Sequence, residues 1–491
     1  MARWRLELRW AGEVWEFDGE LEAELARELQ VSAADTEPTE LPLELLLPVD
    51  VAEMVEAGHA LDAVEGDVYL DDELVLRGRA VDPEYGDPER PIGWVSLTLR
   101  ASALEDAALF PDAAATVDAT TWPSADPAAV GRAYPWVFGR PGAGAGPGSP
   151  ALLVEAALVD GHRYVLVSDD WVAADAVTLI VPSQGSAAVG VVRWDGVFES
   201  FTVLRVVDGR GRRVSVIDLE ETASTDPAWS AGAEGTEYHV RWDEDAHPGT
   251  LGEVLEVLLG ASSVPVDAGR VAVARGALTS YVLAGYIDEP TRPIEWITDN
   301  LLPIAPVALV NDAAGIYPLL VEVDRLAELA IAHLEAGPDC APTGPVRWRG
   351  DPLNQLTLRY AHRSDADEYL GAVVADPTTD PYADASRRRY AGDAQSGVYA
   401  EELSTDVVWA AATAELIAGT ILRRRALRER EATYQIRPEL WGHITRGLVV
   451  TITDPARGWA RRPALVLSRA DNEDGAVLTL VLDEDPFRDR R

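Results

Sequence analysis

The pattern of apolar and polar positions predicts a long helix followed by a compact β unit near the end of the chain. Apolar residues recur at three- and four-residue spacing over 405–431, which is typical of a helix with one buried side. The expected stripe contains Val408, Ala411, Ala412, Ile417 and Leu422. The side chains of 404–406 can cap the first turn. From Tyr434 onward the period changes to two, which predicts strands.

The same patterns divide the chain into four expected domains. Residues 1–105 alternate over several short segments, which predicts a β-rich domain with a hairpin at 71–72 and a short helix over 50–57. Within it, 20–30 fits either a strand or an acidic amphipathic helix. Residues 106–220 carry proline-rich turns and then closely spaced short strands, as in a sandwich or barrel.

Residues 221–345 are expected to form a small helical α/β domain. The helices are predicted over 248–261, 266–278, 293–302 and 323–336, and strands lie within 277–287 and 306–323. The fourth domain, 346–491, returns to strands and contains the long helix. The expected fold class is therefore mainly β and multidomain (α+β).

The charge balance is unusual. The 491 residues include 83 acidic and 42 basic side chains, for a net charge of -41, and every basic residue is arginine. Such a charge repels DNA, RNA and anionic lipid except at a local basic patch. Two compatible explanations remain open: adaptation to high salt, and an acidic surface that must not adhere to nucleic acid. No apolar run approaches the ~20 residues of a membrane-spanning helix.

The sequence offers no clear catalytic, cofactor-binding or metal-binding residues. The seven histidines lack zinc-site spacing, and the acidic turn 243–245 beside His239 and His247 lacks the order of a calcium loop. The Gly-rich segment 142–149 lacks the end of a phosphate-binding loop, and no nucleophile elbow is present. Cys340, the only cysteine, is expected to be a free thiol in a linker.

Two groups of residues have both a structural and a functional interpretation. The arginine run at the end of the long helix, Arg423, Arg424 and Arg425, could bind phosphate, but ion pairing within the chain or across a subunit boundary is favoured in so acidic a protein. The 15 tryptophans could line a sugar-binding surface, although most lie in alternating strands, where packing is favoured.

The order of the segments resembles the central baseplate hub or tail tip proteins of tailed bacteriophages and related gene-transfer particles. The N-terminal block ends in a strand with Gly78, Arg79 and Val81, and a proline- and glycine-rich segment follows. The resemblance there rests on Trp122, Pro123, Gly131, Pro135 and Gly139. After the helical insert come a strand that begins at Asn354, the alanine-rich helix and a strand that ends in 453–455.

This resemblance implies a structural virion protein without enzymatic activity or cofactors. It implies a homotrimer at the distal end of the tail tube, with one tube-like β-barrel from the N-terminal block and one from the C-terminal block. The ring would join the tube to tip or fibre proteins, adjoin the tape-measure protein and enclose a channel for DNA. Synthesis would take place in the host cytoplasm. Two alternatives remain: a carbohydrate-binding adhesion module, and a polysaccharide or peptidoglycan hydrolase with acids in the helical domain.

Overall fold

The structure is a computed structural model. It describes residues 4–19, 25–28, 40–70, 73–101, 107–123, 125–143, 147–155, 163–172, 177–182, 191–193, 203–218, 238–312, 315–321, 329–366, 368–390, 397–437, 444, 446–472 and 475–484. As expected from the sequence, strands predominate and a few helices lie among them. None of the helices in this part of the chain has the length and apolarity needed to cross a bilayer.

The N-terminal strands form a six-stranded antiparallel sheet. In chain order the first seven strands are β1 (Trp4–Trp10), β2 (Glu13–Gly19), β3 (Leu25–Glu28), β4 (Glu40–Leu46), β5 (Glu65–Leu70), β6 (Glu73–Tyr85) and β7 (Trp94–Ala101). Within the sheet their order is β2-β1-β5-β6-β7-β4. The alternation predicted from the sequence is present, since Leu6, Leu8 and Trp10 all point into the core. The predicted short helix is α1 (Val51–Glu56), whose first turn is capped by the Asp50 carboxylate.

Strand β3 does not belong to this sheet but to the C-terminal one. It pairs antiparallel with residues 468–471. The structure therefore favours the strand over the helix for this part of 20–30, because a distant strand provides its hydrogen-bond partners.

The middle of the chain contains a second sheet, of seven strands. After β8 (Trp136–Phe138) come β9 (Ser149–Glu155), β10 (Arg163–Ser168), β11 (Val177–Pro182), β12 (Val191–Arg193), β13 (Val203–Val207), β14 (Arg213–Asp218) and β15 (Tyr238–Trp242), in the order β12-β11-β15-β9-β10-β14-β13. Both faces are buried: Val165 and Ile217 belong to one apolar cluster, and Leu166 and Val216 belong to another.

Three helices and a hairpin follow. They are α2 (Leu251–Ala261), α3 (Ala268–Ala277), β16 (Gly285–Ile287), α4 (Pro293–Asn300), β17 (Val307–Asp312) and β18 (Gly315–Leu320). The first three predicted helices are thus present. The strand predicted in 277–287 is reduced to β16, which pairs with β8.

The C-terminal part combines an eight-stranded sheet with a three-stranded one. Its elements are β19 (Ala330–Glu335), β20 (Cys340–Pro342), β21 (Arg347–Arg349), β22 (Gln355–Arg363), β23 (Glu368–Ala375), α5 (Pro381–Tyr390), β24 (Ala400–Ser404), α6 (Ala411–Arg425), β25 (Glu429–Ile436), β26 (Val449–Asp454), β27 (Trp459–Asn472) and β28 (Gly475–Leu482). The larger sheet runs β19-β26-β27-β28-β25-β20, with β21 also on β25 and β3 on β27. The smaller one runs β23-β22-β24.

The helix predicted over 323–336 is wrong in its described part. Residues 322–328 lie outside the described residues, and Ala330–Glu335 is the strand β19, parallel to β26. A ladder partner more than 100 residues away decides the conformation here, and local periodicity does not reveal it.

The long helix is shorter than the predicted 405–431. It begins at Ala411, because residues 405–408 are not helical and their backbone is hydrogen-bonded to β22: the Thr405 amide donates to the Arg359 carbonyl, and the Ala361 amide donates to the Val408 carbonyl. It ends at Arg425, and Glu429 already belongs to β25. Ala411 and Ala412 are exposed. The buried stripe consists of Thr413, Ala414, Ile417, Ala418, Ile421 and Leu422.

Cys340 also differs from expectation. It lies in β20 opposite Ile436 and is almost fully buried, so it belongs to the sheet and not to a linker.

The N-terminal and C-terminal sheets share one hydrophobic core. A single buried cluster contains Leu8 and Leu97 from the first sheet together with Tyr434 and Leu478 from the second. The opposite face of the C-terminal sheet belongs to a different cluster, which includes Leu465, Val481 and the inner side of α6. The C-terminal sheet thus packs against the N-terminal sheet on one face and contributes to the core of the helical part of the chain on the other.

Candidate assembly surface

Arginines from three separate runs of the sequence come together at one end of α6. The runs are Arg347–Arg349 on β21, Arg387–Arg389 at the end of α5, and the segment 423–430 between α6 and β25. We use the term arginine patch for Arg349, Arg389, Arg423, Arg424, Arg425, Arg428 and Arg430. In a chain with a net charge of -41, such a cluster is a local concentration of positive charge.

Trp348 joins two of these runs. The guanidinium carbons of Arg389 and Arg430 lie 6.0 and 5.7 Å from the centre of its ring. Cations at this distance from an indole ring are attracted by its electron-rich face. The ring is 49% exposed, so it forms part of the surface that a partner would meet. On the neighbouring helix, Arg423 lies 5.8 Å from the ring centre of Tyr382.

Backbone contacts hold the patch together as well. The Arg428 amide donates to the hydroxyl of Tyr390 at 2.8 Å, which ties the start of β25 to α5. The Arg428 guanidinium donates to the carbonyl of Gly350 at 2.9 Å, next to β21. The three runs are therefore fixed relative to one another before any partner arrives.

Acidic side chains neutralise part of the patch. Arg425 donates two hydrogen bonds to Glu401, at 2.8 and 2.6 Å, and Arg430 does the same to Glu484, at 2.6 and 3.1 Å. Paired N–H groups of this kind match the geometry of a carboxylate. Arg389 and Arg423 are exposed, and each lies near an aromatic ring.

Arg424 and Glu429 are two further charged residues of this region, and both are half-buried. Burial lowers the pKa of Arg424, and the nearby charge of Glu429 partly offsets this effect. Burial likewise raises the pKa of the Glu429 carboxyl, against the opposing influence of Arg424 and Arg349. Each of the two charges therefore lessens the cost of burying the other.

The predicted interface residues therefore differ from one another in structure. Arg425 is paired within the chain, Arg424 is half-buried, and Arg423 is exposed. A role of all three at a subunit boundary stays a prediction. The sequence reasoning overlooked Arg349 and Arg389, and the signals that could have revealed them are the runs RWR and RRR at 347–349 and 387–389.

The other groups considered for chemistry are engaged in structural contacts. In the acidic turn, Asp243 pairs with Arg241 and Asp245 pairs with Arg140. His239 contacts the Ser364 hydroxyl at 2.8 Å. Across the described residues, no group of three or more His, Cys, Asp or Glu side chains is placed to hold a metal ion.

Several residues that carry the family resemblance are buried anchors. The Asn354 side chain donates to the Gly397 carbonyl at 2.6 Å and accepts from the Tyr399 amide at 2.9 Å. The Trp122 indole donates to the Tyr134 hydroxyl at 3.0 Å. Gly139 adopts a φ of 60° and lies so close to Leu283 that a Cβ atom would collide with its carbonyl oxygen. These residues maintain the fold.

Comparison with known proteins gives the following findings. No family model matches the chain, and no curated protein matches it. Among solved structures, it is similar to a tail protein from Neisseria meningitidis (11% identity, 98% of this chain and 97% of that one, TM-score 0.41). It is also similar to a prophage tail protein from Shewanella oneidensis (11% identity, 97% of this chain and 96% of that one, TM-score 0.40). A prophage tail protein from Listeria monocytogenes is similar as well (8% identity, 98% of this chain and 95% of that one, TM-score 0.38).

These three likenesses extend over nearly the whole of each chain. The proteins are described as tail proteins, which is the class that the order of the sequence motifs resembles. At TM-scores near 0.4 the likeness by itself carries no argument about function. The functional argument therefore rests on the residues and contacts of this chain.

Proposed function

We propose that this protein is a structural component of a phage tail: a homotrimeric hub at the distal end of the tail tube that joins tube to tip and encloses a channel for DNA. The observation that carries the proposal is the shared core of the N-terminal and C-terminal sheets. One chain thereby holds two β units together through a common core, so three chains would present six around a ring. A hub between a sixfold tube and a threefold tip requires this arrangement.

The arginine patch supplies a second line of support. Three copies of a chain with a net charge of -41 repel one another unless opposite charges meet at their boundaries. Arg389 and Arg423 are exposed cations within a rigid cluster, and the acidic surface of a neighbouring copy is the complementary partner. The remaining acidic surface suits a channel wall to which DNA does not adhere.

The proposal includes the partners and the location of the protein. Tail-tube, tip or fibre proteins and the tape-measure protein would be its neighbours in the virion, after synthesis in the host cytoplasm. The proposed role is not enzymatic and needs no cofactor. The division into domains at 105, 220 and 345 belongs to the same proposal.

The oligomeric state tests the proposal directly. Native mass spectrometry of the purified protein should give about 159 kDa, three times the 53.0 kDa of one chain. Electron microscopy of the same sample should show rings with a central opening. A stable monomer that binds no tail component would refute the hub.

A second experiment tests the arginine patch. The double variant Arg389→Glu/Arg423→Glu should weaken trimer formation about tenfold or more, because it places acidic side chains against an acidic neighbour. The matched control is Arg90→Glu/Arg140→Glu, which makes the same change of charge at two exposed arginines outside the patch. If both double variants form trimers equally well, the patch is not a subunit boundary.

A further inference from the structure

A cleft separates the seven-stranded sheet from the helical part of the chain. Its volume is about 640 Å³, which falls within the ~300–1,000 Å³ common for ligand sites. The segment 108–115 forms one wall, and Asp169, Asp170 and His247 line another part. Arg212 and Arg213 project from the start of β14, and Ala261 closes the cleft from the end of α2. None of these residues belongs to the arginine patch.

His247 is held firmly in the cleft. Its ring stacks on Trp136 at a centroid distance of 5.6 Å, and Nε2 lies 3.0 Å from an Asp169 carboxylate oxygen. The backbone of Asp169 is fixed as well, because its amide donates to the carbonyl of Pro135 at 3.1 Å. Burial raises the pKa of the Asp169 carboxyl, and the hydrogen bond to His247 acts in the opposite direction.

The two arginines of the cleft also face acids. Arg212 donates to the Asp112 carboxylate at 2.7 Å, and Arg213 Nε lies 3.3 Å from Asp170. Asp112 and Asp170 are thus paired with Arg212 and Arg213 in the cleft, and Asp169 is hydrogen-bonded to His247. An anionic ligand would meet three carboxylates and a cationic one would meet two guanidinium groups, so neither gains from the overall charge.

A hydroxyl group fits these pairs better than an ion does. It can accept a hydrogen bond from a guanidinium N–H and donate one to the adjacent carboxylate, and so use the capacity that an ion pair leaves free. Beside the cleft, the Trp171 ring is 43% exposed and is held by its indole N–H, which donates to the Val206 carbonyl at 3.1 Å. Arg213 lies 5.3 Å from the centre of that ring.

We propose that this cleft is a binding site for a neutral oligosaccharide. Sugar hydroxyls would contact the Asp112–Arg212 and Asp170–Arg213 pairs, and the apolar face of a sugar ring would lie against the exposed indole of Trp171. The wall formed by Leu109 and Phe110 would cover the opposite side. The site is distinct from the arginine patch, since the two have no residue in common.

The test uses the full-length protein on an array of neutral oligosaccharides and their sulfated, phosphorylated and sialylated counterparts. We expect retention of neutral oligosaccharides. Isothermal titration with the best neutral one should then show at least tenfold weaker binding for Trp171→Ala and for Asp112→Asn. Asp112→Asn keeps the shape of the side chain, so weaker binding by this variant reflects lost contacts and not lost folding.

Tyr85→Ala is the matched control, because Tyr85 is similarly exposed but lies on β6, outside both the cleft and the arginine patch. Its binding should equal that of the unmodified protein. The proposal is overturned if no neutral oligosaccharide is retained, if only the charged ones are, or if Trp171→Ala and Asp112→Asn bind as well as the control. Mass measurement on the same variants shows separately whether the trimer forms, so failure here leaves the hub proposal unaffected.

Discussion

Individual buried polar residues fix the C-terminal sheet to its turns. The hydroxyl of Tyr434 donates to Asp454 at 2.8 Å and accepts from Arg457 at 2.9 Å. Asp454 is buried and also caps the turn 455–457 through its other oxygen. The segment 453–455 at the end of β26 therefore has a structural role, because the buried carboxylate of Asp454 is satisfied by these donors.

We expect Tyr434→Phe to destabilise this sheet by about 1–3 kcal/mol, the typical cost of leaving a buried polar group without its partner. Hydrogen exchange of the amides in β25 and β26 would measure the loss as faster opening. The control is Tyr85→Phe, which removes a hydroxyl from a side chain that is 42% exposed. Equal protection in both variants would contradict the assigned role of Tyr434.

Cys340 gives a second prediction at the residue scale. Burial raises the pKa of its thiol to about 12, and the charges of Asp339 and Asp454 add to this effect. At pH 8 almost no thiolate exists in the native protein, and the sulfur is also inaccessible. Iodoacetamide should therefore modify Cys340 only after unfolding in urea. Rapid modification of the native protein would show that β20 opens readily.

At the scale of elements, the sequence predicted best where the decisive interactions are local. Helix α2 was predictable because Leu251, Leu255 and Leu258 recur at helical spacing. By contrast, local periodicity predicts a helix at β19 and continues α6 into β25. Both segments are strands because they pair with strands far along the chain. The arginine patch was likewise hidden, since its three runs meet only through folding.

The capping box of α2 provides a test of a local interaction. The Thr250 hydroxyl accepts a hydrogen bond from the Glu253 amide, and the Glu253 carboxylate accepts one from the Thr250 amide at 3.3 Å. The carboxylate also accepts one from the Thr250 hydroxyl at 2.6 Å, and Thr250→Ala removes both bonds of the hydroxyl. Thr250→Ala should cost about 1 kcal/mol, so amides of α2 should exchange about fivefold faster at pH 7. Thr298→Ala removes a threonine from α4 and should leave the protection of α2 unchanged.

The effect of Thr250→Ala should depend on pH. The hydrogen bond from Thr250 lowers the pKa of Glu253 from its usual 4.5. A carboxyl whose pKa is lower in the folded than in the unfolded state stabilises the folded state at pH values above its unfolded-state pKa. This contribution is lost as the pH falls through its folded-state pKa. The difference between Thr250→Ala and the unmodified protein should therefore be smaller at pH 3.5 than at pH 7. A constant difference would mean that the carboxylate contributes little.

At the scale of the whole molecule, the net charge of -41 should make stability depend strongly on salt. Like charges repel over about 30 Å at 0.01 M salt and over about 3 Å at 1 M, so added salt removes much of the repulsion that opposes the compact state. We expect the thermal midpoint at pH 7 to rise between 10 mM and 1 M NaCl. The control is the same titration at pH 4.4, close to the calculated isoelectric point, where the net charge is near zero. The measurement needs dilute protein, because molecules without net charge associate readily. If the midpoint rises equally at both pH values, salt acts through hydrophobic burial or ion binding and not through the acidic surface.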